Sequence, residues 1–305
     1  MRALITGGAG FIGSNLAKRL ANEGHDVVVT DDFSSGHWTN LIEFKGDVLT
    51  ADLASPASVL CLQGLDRFDA VFHQASITDT TVADQRHMMT NNVEAFRHLL
   101  ELAVRWKARV VWASSCSIYG QGPVPMRESQ PPHPLNVYAY SKLAMERLAG
   151  RYAPRLAHPI VGLRYSNVYG PGEAHKGKFA SMIHQLAKQM RAGTRPRIFR
   201  AGQQKRDFVS VWDVVQANLN ALSATESGSF NAGAGASWSF NDVVAELNRV
   251  LGTSLEPDYF ENPYSFTQDW TQTDLAEARR VLNYQPQHDL RKGAEAYLES
   301  GKLGA

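Results

Sequence analysis

Apolar positions along the chain fall into two alternating patterns. Short runs at 2–6, 26–31, 69–73, 109–114 and 159–163 are rich in Val, Ile and Ala, while 12–23, 92–106 and 139–152 carry apolar residues at helical spacing. Strands that are apolar throughout leave no face for water, so the pattern predicts a parallel sheet covered by helices on both sides and joined by right-handed crossovers. The 305 residues suffice for a large core. There is no internal repeat, but 120–135 holds five of the thirteen prolines and reads as an irregular loop. After about residue 165 the alternation weakens. The expected organisation is an α/β fold with a main domain over 1–165 and a smaller lobe built mainly from 166–305, segments around 207–232 returning to the sheet.

Composition narrows the choice of partners. Hydrophobic residues make up 44% and charged residues 20%, with a formal net charge of +1. No global field draws the chain to nucleic acid or to an anionic membrane, so binding must be local. No apolar run approaches the roughly 18 residues of a membrane span, and Met1 leads almost directly into a strand; the expected location is cytoplasmic. Cys61 and Cys116 lack metal-ligand spacing and suggest neither a disulfide nor a metal site. Both are expected to be buried as small hydrophobes.

The first chemical signal is Gly7-x-x-Gly10-x-x-Gly13, placed between a strand and an amphipathic helix. In such a turn, backbone N–H groups and the positive end of the helix face a pyrophosphate. Glycine-rich turns also join strands to helices for steric reasons alone. Asp31, at the end of the next predicted strand and roughly 20 residues on, adds a carboxylate where an adenosine ribose presents its hydroxyls. Asp32 is its neighbour, and two adjacent carboxylates repel a 2′-phosphate, which favours NAD over NADP. The predicted fold is thus a Rossmann-type doubly wound parallel sheet binding NAD(P), with the C-terminal lobe left for substrate.

The second signal is "YAYSK". Tyr138 and Lys142 are four apart on a predicted helix and share a face. An ammonium beside a phenol favours the phenolate, so Tyr138 is a candidate to exchange a proton with a hydroxyl group. The pair follows "ASSCSIYG", where Ser114 and Ser115 end a strand at the ligand-binding edge of the sheet.

Taken together, GxxGxxG, Asp31, Asn92 in "NNVEAF", a serine before "YG", YxxxK and "LRYSNVYGPG" resemble the extended short-chain dehydrogenase/reductase family of nucleotide-sugar enzymes over nearly the whole chain. The resemblance implies that Ser115, Tyr138 and Lys142 are catalytic. It also implies that Gly7, Gly10, Phe11, Ile12, Gly13, Asp31, Asp32, Gln74, Ala75, Ser76, Asn92 and Val168 hold the cofactor. Either Asp52 with Leu53 or Asp47 with Val48 would meet the adenine. Dehydratases of the family carry acidic residues after the catalytic Ser or Thr; here Cys116 and Ser117 stand there, which favours a redox-neutral epimerisation on a tightly held, recycled NAD or NADP.

From 174 to 206 the chain has nine Lys or Arg and no Asp or Glu, a run that fits a cradle for a nucleotide diphosphate. "HKG", "KRDFVSVWDV", "MMTNN", "PLNVYAYSK" and "YSFTQ" resemble the heptose 6-epimerase branch of the family. That likeness implies Lys176 as a second acid/base and substrate contacts at Asn167, Lys178, His184, Phe199, Arg206 and Tyr264, in a homo-oligomer. The alternatives are a UDP-sugar 4-epimerase, another dehydrogenase of the family acting on a nucleotide sugar, or a non-enzymatic nicotinamide-binding sensor.

Overall fold

The structure is a computed structural model and describes residues 1–261 and 269–305. In chain order the regular elements begin β1 (Arg2–Thr6), α1 (Phe11–Asn22), β2 (Asp26–Asp31), β3 (Asp47–Thr50), α2 (Pro56–Gln63) and β4 (Ala70–His73). They continue α3 (Gln85–Met89), α4 (Ala95–Trp106), β5 (Arg109–Ser115), α5 (Val137–Tyr152), β6 (Ile160–Tyr165) and β7 (Asn167–Tyr169). Then follow α6 (Met182–Arg191), β8 (Arg197–Phe199), β9 (Lys205–Arg206), β10 (Phe208–Ser210), α7 (Val211–Ala221) and β11 (Gly228–Ala232). The last are β12 (Trp238–Ser239), α8 (Phe240–Leu251), β13 (Asp258–Phe260), α9 (Ala276–Leu282) and α10 (Leu290–Glu299).

Seven strands form one sheet in the order β11-β6-β5-β4-β1-β2-β3, every pair parallel. This is the doubly wound Rossmann arrangement, with its crossover switch between β1 and β4. The continuous apolarity of the strands has a direct cause. Ala3 and Ile5 of β1 enter the core layer that contains Leu16, Ala17 and Leu20 of α1, whereas Leu4 between them enters the opposite layer with Phe96, Leu99 and Leu100 of α4. Successive side chains point to opposite faces, and here both faces are dry. β11 returns from the second half of the chain to pair with β6 in register Phe230↔Leu163, and Val214, Val215 and Ala217 of α7 share the core layer of α1.

A separate cluster gathers Ile183, Leu186 and Met190 of α6 with Phe240, Val243 and Leu247 of α8 and Tyr297 of α10. This is the core of the smaller lobe. Asp207 fastens it to the sheet, accepting hydrogen bonds from the Ala234, Gly235 and Thr273 N–H groups and the Thr273 hydroxyl.

Several elements differ from the expectations above. β3 and α2 are additional. The edge strand β3 is mostly exposed and carries only a weak apolar signal, and α2 turns just Val59 and Leu62 inward. Cys61 therefore lies exposed on the outer side of α2 rather than buried; Cys116 is buried. The helix expected over 92–106 begins at Ala95, preceded by one wide π turn over Thr90–Glu94. The proline-rich segment carries a single 3-10 turn at Cys116–Tyr119 before it and is otherwise irregular up to α5.

Candidate active site

The carboxyl ends of β1, β2, β4, β5 and β6 open on one cleft of about 750 Å³, a volume suited to a sizeable organic ligand. At its floor the three motif glycines have distinct jobs. Gly7 has φ +66° and lies against β4, where a Cβ would stand 2.6 Å from the Ala75 nitrogen. A Cβ on Gly13 would run into the Gly7 carbonyl oxygen. Both are required by packing of the turn itself. Gly10 differs: only the Gly7 carbonyl, at 3.1 Å, would be near an added Cβ, and the open side faces the cleft. Its bareness leaves the start of α1, with Phe11, Ile12 and Gly13, accessible as an anion cradle.

Asp31, buried at the end of β2, accepts the Ala9 N–H on one oxygen and the Phe33 N–H on the other, each at 2.9 Å. Burial raises its pKa and these two donors partly oppose the rise. Each oxygen keeps a lone pair for a hydroxyl donor. Asp32 is exposed and capped by Ser34. Asp52 and Leu53 line the same end of the cleft; Asp47 and Val48 do not, since they belong to the exposed edge strand. Gln74, Ala75 and Ser76 follow β4 along the wall, and Val168 of β7 closes the far side.

Asn92 does not line the cleft. It is fully buried, with its carbonyl oxygen on the Ile77 N–H at 2.8 Å and its amide on the Ser141 hydroxyl at 2.9 Å. The wide turn directs it inward, where it ties the wall segment at Ile77 to α5, while Asn91 lines the cleft. Wide turns of this kind recur at functional sites because they re-aim one side chain.

Ser115, Tyr138 and Lys142 all line the cleft. α5 starts at Val137, capped by the Asn136 side chain on the Ala139 N–H at 2.8 Å, so Tyr138 sits in the first turn near the positive helix end. Lys142 is one turn on, 1% exposed, its Nζ donating to the Ala113 carbonyl at 2.8 Å and lying 5.8 Å from the Tyr138 ring centroid. The Ser115 hydroxyl accepts the Ser117 N–H, leaving its own proton to donate. The neighbouring ammonium was expected to draw the phenol down. Instead, burial raises the Tyr138 pKa, the Ser115 hydroxyl pulling it partly back, and burial lowers Lys142 to about 7. Both groups share a dry pocket in which each charged form loses its water. The chain alone therefore does not supply the field that a phenolate needs.

The loop between β7 and α6 lines the same cleft. Glu173, completely buried, accepts the N–H groups of Gly170 and Ser181 and the Ser181 hydroxyl, so one carboxylate pins both ends of the loop. Gly177 has φ +52° and ψ −120°, a backbone conformation closed to other residues, which accounts for the glycine in "HKG". Lys176 lines the cleft with Nζ 5.6 Å from the Phe11 ring centroid, and burial lowers its pKa while Glu173 partly restores it. His175 and Phe179 line the cleft on either side of it, and Tyr165 lines it from β6; sequence reasoning missed all three. For the first two, adjacency to Lys176 was the available signal.

Five of the other expected substrate contacts, Asn167, Lys178, His184, Phe199 and Arg206, lie off this lining. The Asn167 amide is engaged with the Asp207 carbonyl at 3.2 Å. His184 is buried in the α6–α10 contact, Nδ1 bonded to the Tyr297 hydroxyl at 2.9 Å. Phe199 packs edge-on against Phe260. Lys178 is exposed, its Nζ 5.0 Å from the Phe179 ring centroid, and the Arg206 guanidinium bonds the Lys205 carbonyl. Tyr264 lies outside the described residues. Nor is the basic run gathered as one cradle: Arg195 bonds the carbonyls of Glu256 and Pro257, and Arg197 pairs with Asp258. A stretch that winds through a helix and a strand distributes its charges over several faces. Among the described residues no cluster fit for a metal and no helix long and apolar enough to cross a membrane is present.

A doubly wound sheet with a glycine turn at its switch point, a buried carboxylate at the end of the second strand and a Ser, Tyr, Lys constellation lining the same cleft defines an enzyme of the nicotinamide-dinucleotide type. Residues 3–233 match the NAD dependent epimerase/dehydratase family, and the chain belongs to it. It is 36% identical to the ADP-L-glycero-D-manno-heptose-6-epimerase of Alkalilimnicola ehrlichii, over 97% of this chain and 96% of that protein. Among solved structures it is similar to the Helicobacter pylori ADP-L-glycero-D-manno-heptose-6-epimerase, with a TM-score of 0.92 and 40% identity, covering 98% and 95% of the two chains. It is also similar to the UDP-glucuronic acid 4-epimerase of Bacillus cereus, solved with UDP-glucuronic acid and NAD, with a TM-score of 0.84, 29% identity and 98% of each chain covered.

Two outcomes follow from this geometry. Gly10→Ala, which meets little in the fold, should leave the melting temperature nearly unchanged and weaken dinucleotide binding, whereas Gly13→Ala should cost about 1–3 kcal/mol of stability by overpacking the turn, as denaturant titration will show. Lys142 should give a pH-dependent stability signature. Its folded pKa of about 7 lies below the ordinary value of 10.5, so the penalty for a buried charge is complete below about pH 7 and disappears as pH rises through 10.5. Lys142→Met should therefore raise the melting temperature most at or below about pH 7, the gain shrinking toward a constant offset by about pH 10.5.

Proposed function

We propose that the protein is a nucleotide-sugar epimerase that inverts C6 of an ADP-linked glycero-manno-heptose through a transient ketone, using NAD. The observation that carries this reading is that one cleft receives two separate sets of proton-handling groups, Ser115, Tyr138 and Lys142 from β5 and α5 and Lys176 from the loop between β7 and α6. Inversion through a planar carbon needs protons handled for two orientations of the sugar, and a single phenol serves only one. Gly7, Gly10, Phe11, Ile12 and Gly13 would hold the dinucleotide, which when bound would supply the hydride acceptor and donor.

The rest is work of the side chains. Tyr138 accepts the proton of the C6 hydroxyl, and the Ser115 hydroxyl donates to the same oxygen and holds it in line. Lys142, tethered at the Ala113 carbonyl, stands behind the phenol as the nearest cation in the dry pocket. After the ketone turns its other face, Lys176 delivers the proton to the new alkoxide; burial lowers its pKa, which makes the ammonium a better proton donor than an exposed lysine. No net oxidation results. Asp31, Asp32 and Asp52 line the cleft and would face the adenosine ribose, and the lysines lining the cleft are Lys142 and Lys176. Three carboxylates without a paired cation reject a 2′-phosphate, which favours NAD over NADP. The relatives named as ADP-heptose epimerases are more identical to this chain than the UDP-glucuronic acid 4-epimerase is, which supports the ADP-heptose reading.

The test begins with denaturing the purified enzyme, identifying the released dinucleotide, and then screening ADP-, GDP- and UDP-sugars for inversion without added cofactor. Inversion of the ADP-heptose with NAD retained is expected; NADH released in proportion to product would exclude the scheme. Tyr138→Phe should lower kcat by about 10²–10⁴-fold with KM little changed. Lys176→Met should do the same, while a 4-epimerase using the sheet-side groups alone would lose little.

A further inference from the structure

Directly behind the proton-transfer groups lies a buried ion pair that the proposed chemistry does not use. Arg164 Nε and Nη2 each donate to a separate oxygen of Glu146 at 2.8 Å, and both side chains are only 10% exposed. Glu146 Oε1 also accepts the Ser114 hydroxyl at 2.7 Å. The remaining Arg164 nitrogen donates to the Tyr119 hydroxyl at 2.7 Å, which in turn donates to Asn231 at 2.8 Å. Burial would draw the guanidinium pKa down, but the bonds to Glu146 and Tyr119 more than reverse it, so the charge is kept.

Each member adjoins a site group on its own element. Ser114 precedes Ser115 on β5, Glu146 follows Lys142 by one turn of α5, and Arg164 precedes Tyr165 on β6. The strands are in register there, Ser114 opposite Arg164 and Ser115 opposite Tyr165. A single carboxylate thus joins three elements at the level where they deliver the cleft's side chains.

Stability does not explain this arrangement. Two charges removed from water recover little net free energy, and an apolar pair of the same volume often serves as well or better. What an apolar pair lacks is direction. Two parallel N–H···O bonds fix both the rotation and the axial setting of the helix that carries the carboxylate. Proton transfer demands such setting, because a misplacement of about 1 Å can cost about 10²-fold in rate.

We propose that the Glu146–Arg164 pair is a positioning device that sets α5 against β5 and β6 and so holds Tyr138 and Lys142 in register with Ser115. Neither residue touches substrate; both act through α5. The proposal rests on the epimerase reading only for its activity readout.

The decisive variant is the double substitution Glu146→Leu with Arg164→Met, compared with wild type by melting temperature, steady-state kinetics and NMR titration of ε-¹³C-lysine, the Lys142 signal being identified by its loss in Lys142→Met. We expect a melting temperature at or above wild type, a kcat lower by at least about 10-fold and a KM within about 2-fold. The Lys142 titration, near 7 in wild type, should rise by about one unit or more as the loosened helix admits water. A folded double variant with wild-type kcat overturns the proposal. Should that variant fail to fold, Glu146→Gln keeps the shape and the Ser114 bond without the charge; a kcat about 3-fold or more below wild type supports the proposal and an unchanged kcat overturns it. If wild type inverts no nucleotide sugar, the functional reading fails by itself, and the Lys142 titration in the double variant, shifted or unshifted, decides the positioning role.

Discussion

An amine held almost without water is the constraint around which this molecule is arranged. Lys142 reaches from α5 to the carbonyl of Ala113 at the end of β5, and no position farther out would keep it beside Tyr138. For that bond to exist, α5 must lie tight on the sheet, its first turn must stop at the strand ends, and the strands must be parallel so that those ends converge. The bidentate pair one turn below and the Asn136 cap at the helix start hold the same helix at two further points.

The loop part of the cleft is built by a different logic. Lys176 belongs to a loop rather than to a helix on the sheet, and its place depends on the buried carboxylate of Glu173 closing the loop and on Gly177 reversing it. The anchors of the smaller lobe, Asp207 among them, are also buried carboxylates satisfied by backbone N–H groups. A sheet-borne set of groups with precise placement thus faces a loop-borne set whose placement can be altered without touching the Rossmann core. Such a division suits a fold that accepts many sugars on one dinucleotide chemistry.

How much of this could be read along the chain depended on whether the signal was local. The runs at 2–6 and 26–31 became strands with those bounds, because a strand dry on both faces must be apolar at every position. The YxxxK spacing lies on one helix face because 3.6 residues make a turn. β3 and α2 went unseen since each buries few side chains. Asn92, expected among the residues that hold the cofactor, sits in one wide turn, invisible in periodicity, that directs it toward Ser141 and Ile77. The charge run over 174–206 was read as one surface, though consecutive residues of a helix and then a strand diverge in space.

The sequence by itself therefore determined the parallel sheet, the glycine turn at its switch point, the acidic strand end and the phenol–amine pair, all of them consequences of spacing over a few residues. Only the tertiary structure decided which hydroxyl of the Ser114–Ser115 pair lies beside Tyr138, since Glu146 takes the other from thirty-two residues away. It also decided that Asp52 rather than Asp47 reaches the cleft, and that burial pushes the phenol and amine pKa values in directions opposite to those their proximity suggests. Desolvation and long-range partnership are properties of the packed interior, and no local pattern of residues encodes how much water a group will lose.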